Sequence, residues 1–379
     1  MRSFLVGFLC SLGISALLTP VVLRFARRLS LYDRPDGVRK IHQEQIPRIG
    51  GIAIAAGFCG PILGLLFFGN FFANQLAKEP TKLMAFLIGG LSILTLGLYD
   101  DLKGVGAWGK LTIQVAVGTM LWWCGMSFDQ ISILDYNIQF GIMSWPLTVL
   151  WLAGLVNAMN LIDGLDGLAA GVAFFAGFSL FTVALMDNEL MLALFAACIA
   201  GSVLGFLLYN FNPALIFMGD SGSMTIGYIF AACSLWNASK RSTALSLLLP
   251  MLALGLPIFD TLFAFARRAL TGRSPFHSDR GHVHHRLIDA GLSHRQTVLS
   301  LYLLCGLLTA ATVLTRATLD PRYGVAILAL MGALIPLGRV FWSRMAPPKA
   351  VKLGQAQAAA EEVQGVEQTA PASTSTSSA

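Results

Sequence analysis

The stretch "WPLTVLWLAGLVNAMNLIDGLDGLAAGVAFFAGFSLFTVALM", residues 145–186, decides the fold. Two apolar runs, near 142–159 and 168–186 and each close to the roughly 20 residues that a helix needs to cross a bilayer core, run into the polar centre "NAMNLIDGLDGLAAG" (157–171) from either side. The runs call for a membrane. The polar centre calls for a reason to keep Asn157, Asn160, Asp163 and Asp166 there.

Working outward, the same pattern recurs along nearly the whole chain. Apolar runs lie near 4–25, 49–69, 82–99, 110–125, 142–159, 168–186, 190–208, 222–237, 244–265, 297–315 and 323–341. With 55% hydrophobic and only 12% charged residues, a set of soluble domains is excluded. The expected architecture is an all-α polytopic membrane protein with about 11 transmembrane helices (10–11), each spanning as one apolar run. The first run continues through Val21 and Leu23 without a small-residue cleavage site and ends in Arg24, Arg27 and Arg28, so it reads as a retained helix. A membrane domain over 1–345 is expected. The tail over 346–379, ending "TAPASTSTSSA", is too polar and repetitive to bury a core and is expected to be disordered.

Lys and Arg set the orientation. With the N-terminus outside, basic residues crowd the inner segments. The outer ones hold only Arg2, Lys78, Lys82, Lys240, Arg241, Arg316 and Arg322. Nothing in this excess, which gives a net charge of +6, points to nucleic acid. The six Cys are dispersed through apolar runs without a C-x-x-C pair, which implies neither a disulfide framework nor a metal site. The outer segment "MSFDQISILDYNIQF" (126–140) alternates as a small hairpin would.

The remaining polar residues gather in five inner segments: 32–51, 99–110, 157–171, 209–223 and 267–296. In "YDDLKG", Asp100 and Asp101 stand at the C-terminus of an apolar helix, the wrong end of the macrodipole for two acids. Near a membrane each is expensive, about 2.5–3.5 kcal/mol at the bilayer centre by insertion scales. Lys103 and Lys110, or a divalent cation, should offset that; otherwise the pair is only a polar helix end. Asn157, Asn160, Asp163 and Asp166 are spaced i, i+3, i+6, i+9, one slowly drifting face for as long as the segment stays helical. Such a row of oxygens at a helix break suits a hard cation or a nucleoside. The bland alternative is an interhelical polar clamp.

"FMGDSGS" places Asp220 among small residues just before another apolar run, where helix N-terminal amides favour an anion. Five of the six His lie in 267–296: His277, His282, His284, His285 and His294. H-x-H-H without Cys is a poor zinc pattern, and His beside Arg280 and Arg286 suits phosphate better. Asp260 is open to two readings, an ion pair with Arg267 on its own helix or orientation of the His segment.

"DDLKG", "NAMNLIDGLDGLA", "FNPALIFMGDSGS" and "DRGHVHHRLIDAGLSHRQ", in this order between apolar helices, resemble the polyprenyl-phosphate N-acetylhexosamine-1-phosphate transferases over about residues 30–341. The resemblance implies transfer of a hexosamine 1-phosphate from a UDP-sugar to undecaprenyl phosphate, release of UMP, and a requirement for Mg²⁺ (Mn²⁺ in its place). It also implies a multi-pass protein of the bacterial inner membrane, a cytoplasmic site and a homodimer. By that resemblance Asp100, Asp101 and Asp220 are catalytic, and Asn160, Asp220, Asp100 and Asp101 are metal ligands. Lys40, His42, Arg48, Lys103, Lys110, Asn157, Asp163, Asp166 and Asn210 are substrate contacts, as are Arg280, His282, His284 and His285. The branch that takes UDP-N-acetylmuramoyl-pentapeptide usually carries three consecutive His followed by Phe-Glu. "HVHHRL" followed by "DAGLSHRQ" is similar instead to the branch using UDP-N-acetylglucosamine, which primes cell-envelope polysaccharides. A cation-coupled transporter is the rival from another class, but it would place its polar residues near the midplane and show repeated halves.

Overall fold

The computed structural model describes residues 1–29, 46–67, 70–133, 136–238, 254–270 and 282–318. Twelve α-helices follow one another among these residues. They are α1 (Arg2–Arg28), α2 (Gly51–Leu66), α3 (Phe71–Ala77), α4 (Pro80–Lys103), α5 (Ala107–Trp123), α6 (Ser144–Ile162), α7 (Leu168–Met186), α8 (Leu190–Asn210), α9 (Gly219–Ala238), α10 (Gly255–Leu270), α11 (Val283–Asp289) and α12 (His294–Thr318). Between α5 and α6 lies the expected hairpin, β1 (Gln130–Ile133) antiparallel to β2 (Tyr136–Gln139), with Gln130 opposite Gln139 and Ile133 opposite Tyr136.

The chain is an all-α polytopic membrane protein. Among the described residues six helices are long and apolar enough to cross a bilayer: α1, α4, α6, α7, α8 and α12. A seventh span results if α2 and α3 count as one broken span. Two expected spans fall short for local reasons: α5 has only 17 residues, and α9 opens on Asp220, Ser221 and Ser223. The run at 244–265 is described only from 254 and the run at 323–341 not at all; the tail over 346–379 also lies outside the described residues.

The helices sort by what surrounds them. α7 and α8 are apolar on every side and sit in the interior, where Leu168, Val172, Ala173, Leu194, Cys198 and Val203 are sealed off. α1 is one-sided: Gly7, Ser11, Ser15 and Thr19 face inward, while Leu5, Leu9 and Leu17 are exposed, as a lipid-facing surface requires. Lipid tails are as apolar as Leu, so the bundle is held by close packing rather than by exclusion of water. The "GSVLG" of α8 shows how. A Cβ on Gly201 would lie 2.3 Å from the Phe8 carbonyl oxygen, and one on Gly205 2.4 Å from that of Leu12. Gly201→Val should therefore force α1 off α8 and destabilise the protein by about 1–3 kcal/mol, the usual range for overpacking. Thermal unfolding in detergent checks this; an unchanged midpoint would mean the two helices have room to spare.

The same device positions the site. α9 lies against α2, α4 and α6 with backbones nearly touching. Cβ atoms on Gly51 and Gly97 would each fall 2.4 Å from the backbone of Ser221–Gly222, and one on Gly227 2.6 Å from the Leu155 oxygen. Polar staples fix the contacts: Tyr228 Oη donates to the Phe86 carbonyl (2.7 Å) and Trp151 Nε1 to Ser234 Oγ (2.7 Å). At the opposite end of α7, Arg316 of α12 pairs with Asp187 through Nε at 2.6 Å.

Candidate active site

The described parts of all five polar segments converge where α4, α6 and α8 end and α2, α5, α7, α9 and α12 begin. The end of α4 carries the acid pair, and the two acids do different things. Asp101 reaches across to α9: its Oδ1 accepts from the Asp220 amide (2.8 Å) and its Oδ2 from the Ser221 amide (3.0 Å). The helix N-terminus that seemed open to an anion is thus already occupied by an anion of the same chain, which satisfies two of α9's orphan donors. Gly219, at φ 69°, makes this approach possible; a Cβ there would strike the Arg48 carbonyl oxygen at 1.9 Å and the Asp101 carboxylate at 2.5 Å.

Asp100 turns instead toward α5. Its Oδ1 accepts from the Val105 amide (2.6 Å), closing the turn between the helices, and its Oδ2 from Lys110 Nζ (2.6 Å). Lys110 Nζ donates at the same time to Asp220 Oδ2 (2.5 Å), so one ammonium bridges acids from two helices. The positive charge that the acid pair requires comes from Lys110. Lys103 is exposed and lies over the Tyr99 ring, 5.3 Å from its centroid.

The spaced row of the 157–171 segment does not remain a row. α6 ends at Ile162, and its polar groups disperse to separate partners. Asn157 Nδ2 donates to Gln114 Oε1 of α5 (2.8 Å) and to the Ala153 carbonyl (2.7 Å), an interhelical clamp. Asn160 Nδ2 faces Ser223 Oγ of α9 (3.2 Å), and its amide also bonds the Asp220 side chain. Asp166 is buried, and its Oδ2 accepts from Asn212 Nδ2 (3.0 Å) and the Ala214 amide (3.1 Å), fixing the turn between α8 and α9. Asn210, also buried, bridges the Gly167 amide (3.1 Å) and the Ile216 carbonyl (2.9 Å).

Asp163 differs from the other acids. Among the described residues its carboxylate makes no hydrogen bond. Burial, then the negative charges of Asp220 and Asp101, push its carboxyl up to about 8, against the pull of the Arg48 guanidinium. A carboxyl held in its proton-bound form by burial and by neighbouring acids marks a place short of positive charge. Among the described residues no three His, Cys, Asp or Glu side chains are grouped closely enough to enclose a metal ion.

The His segment closes over the same turn. His284 is buried, and its Nε2 lies 2.5 Å from where a Gly164 Cβ would be, so only glycine fits beside Asp163. Burial first, then His285 and His282, lower the His284 imidazole to about 4, so it is neutral at pH 7. The reading of Asp260 as orienting the His segment holds, since its Oδ2 meets His282 Nδ1 at 2.8 Å; the Arg267 side chain lies outside the described residues. Arg48 is exposed beside Gly219. Lys40, His42 and Arg280 lie outside the described residues.

Some residues at the site carried no signal of their own. Gln114 and Tyr302 sit within apolar runs, and nothing nearby in sequence identifies their partners. Tyr302 Oη donates to the Gly167 carbonyl (2.6 Å), and His294 Nε2 accepts from the Asp166 amide (2.9 Å), so α12 braces the 163–167 turn. Only the His294 side chain, in the polar run "LSHRQ", stood out in advance.

Residues 83–238, from α4 to the end of α9, match the family model "Glycosyl transferase family 4". A probable undecaprenyl-phosphate N-acetylglucosaminyl 1-phosphate transferase of Bacillus subtilis is 39% identical over 84% of this chain and 87% of its own length. A decaprenyl-phosphate N-acetylglucosaminephosphotransferase of Mycobacterium tuberculosis is 34% identical over 79% of this chain and 81% of its own. An undecaprenyl-phosphate alpha-N-acetylglucosaminyl 1-phosphate transferase of Thermotoga maritima is 32% identical over 72% and 78%.

Proposed function

The chain belongs to glycosyl transferase family 4, and on that premise we propose that it transfers N-acetylglucosamine 1-phosphate from its UDP-sugar to undecaprenyl phosphate, releasing UMP. The observation that carries the reading is the convergence of Asp100, Asp163 and Asp220, from three different helices, at one end of an apolar bundle. Both substrates are anionic at the reacting phosphorus, and the acceptor is a lipid, so the reaction needs charge neutralisation at a membrane surface. Basic residues at the end of α1, Arg27 and Arg28, share that end of the bundle and support a cytoplasmic orientation for it. Eleven spans in all remain the reading of the apolar runs.

The oxygen donors around Asp163 fit Mg²⁺, or Mn²⁺ in its place. Mg²⁺ is commonly held by one or two carboxylates together with substrate phosphates rather than by an all-protein cage. Asp163 and Asp220, with the Asn160 amide oxygen, would hold it; Asp101 is engaged by the α9 amides and acts by fixing Asp220. When bound, the cation neutralises diphosphate charge and draws electrons from phosphorus. Lys110 carries a second positive charge between Asp100 and Asp220. Phosphoryl transfer depends mainly on such positioning and neutralisation.

The lipid phosphate attacks directly. Its second pKa is near 6, so at neutral pH it is largely a dianion needing little activation. One of its oxygens bonds to the β-phosphorus of the UDP-sugar, the bond from that phosphorus to the bridging oxygen breaks, and UMP leaves. Asp100 would take any residual proton from the lipid phosphate. The test supplies purified protein with undecaprenyl phosphate and a panel of UDP-sugars and follows UMP release. UDP-N-acetylglucosamine should be preferred; release with no sugar, or with UDP-N-acetylmuramoyl-pentapeptide alone, would refute the assignment. Lipid-free protein should not exchange labelled UMP into the UDP-sugar; exchange would indicate a covalent enzyme intermediate instead.

A further inference from the structure

Asp260 is a buried acid in the middle of an apolar helix, α10, and both of its oxygens are engaged. Oδ2 lies 2.8 Å from His282 Nδ1, and Oδ1 accepts from the Val283 amide at 2.9 Å. His282 is the N-cap of α11 and Val283 its first residue. One carboxylate therefore binds the cap's imidazole and satisfies one of the orphan amides at the start of the helix. An ionised carboxylate only accepts hydrogen bonds, so His282 Nδ1 carries a proton.

The contacts continue from there. The His282 ring lies parallel to that of His284, with centroids 5.8 Å apart and planes at 5°, and the His284 ring leans on His285 at 4.3 Å. His284 in turn packs against Gly164, next to Asp163. An anchor for a seven-residue helix needs no acid. A buried carboxylate carries a desolvation penalty of several kcal/mol, and apolar side chains of similar volume often hold as well or better. What an acid does and a leucine cannot is choose which imidazole nitrogen bears the proton.

We propose that Asp260 is a positioning residue for the transfer reaction: it fixes the Nδ1–H form of His282 and the start of α11, and so sets the stacked His284 against the Gly164 turn. The inference rests on the proposed reaction for its kinetic arm only. Asp260→Asn is the informative change, because the amide oxygen can still accept from Val283 while its NH₂ presents a donor to His282, forcing the proton to Nε2. Loss of an orienting partner of this kind typically costs about 10–100-fold at metal-bound His, and a similar loss in kcat is expected here. In the His282→Leu background the same substitution should change kcat by less than about twofold, since a residue acting through His282 has nothing left to act on.

A second readout needs no turnover. In the full-length protein with ¹⁵N-labelled histidine, the His282 Nδ1 signal should be of the protonated type and should change to the unprotonated type in Asp260→Asn. A tautomer change together with a kcat loss that vanishes in the His282→Leu background supports the proposal. An unchanged tautomer, a changed tautomer with unaltered kcat, or additive losses in the double variant would each overturn it. If the wild-type protein releases no UMP, the proposed reaction fails, and the nitrogen signals still decide whether Asp260 sets the tautomer.

Discussion

Replacing Asp220 by alanine should lower sugar-phosphate transfer by at least about 10³-fold, the upper end of what one preorganised electrostatic contact contributes, and leave the protein folded. Asp220 is the meeting point of the site, since Lys110 Nζ and the Asn160 amide both bind its carboxylate. Its loss frees Lys110 from one of two acids and removes one of the oxygens proposed for the cation. The backbone there does not depend on the side chain. The amides of residues 220 and 221 are held by Asp101, and Gly97 and Gly51 pack against Ser221 whatever stands at 220. Turnover and thermal unfolding measured on the same detergent-solubilised sample separate the two effects. Activity near wild type would remove Asp220 from the chemistry; a collapse in stability would make it a structural residue.

Asp163→Asn should give the opposite pairing of effects, a large loss of activity with a gain in stability when no divalent ion is present. Its carboxyl is displaced from 3.8 to about 8 by burial and by the charges of Asp220 and Asp101. Between those values the folded protein holds a proton that the unfolded chain has released, so stability falls as pH rises through the window and levels off above about 8. The asparagine variant lacks this penalty. It should unfold at higher temperature than the wild type in EDTA, with a difference that grows from about pH 4 to pH 8. Mg²⁺ should then stabilise the wild type and much less the variant, by the usual linkage of ligand to folding. Activity should drop about 10²–10³-fold, as for loss of one preorganised group. Equal stabilisation of both proteins by Mg²⁺ would dissociate Asp163 from the metal.

Some of this could be read from the order of residues alone. Apolar runs long enough to span a bilayer, and too few charges to solvate a soluble surface, determined the all-α membrane architecture, because in lipid every backbone group must be satisfied within its own segment. The segments that make up the candidate site stood out as well. Acids, amides and imidazoles are expensive beside hydrocarbon, so "DDLKG", "NAMNLIDGLDGLA", "GDSGS" and "HVHHR" stood out against their surroundings, and their order identified the family.

Which acid does what was decided only in three dimensions. Asp100 and Asp101 are adjacent in sequence and equivalent by composition, yet successive residues of a helix point about 100° apart. One therefore meets Lys110 of α5, and the other meets the amides of α9, 119 residues further on. Asn157, Asn160, Asp163 and Asp166 look like one row of ligands only while the helix continues. It stops at Ile162, and they disperse to α5, α9, the open turn and the 212–214 loop. Asp260 was equally compatible with Arg267 on its own helix and with the His segment, because periodicity describes one helix at a time. Partners on other helices depend on how closely backbones approach, and here glycines at 51, 97, 201, 205 and 227 set that approach. Sequence supplied the charges and the membrane; the packing of glycine against backbone determined which charges face each other.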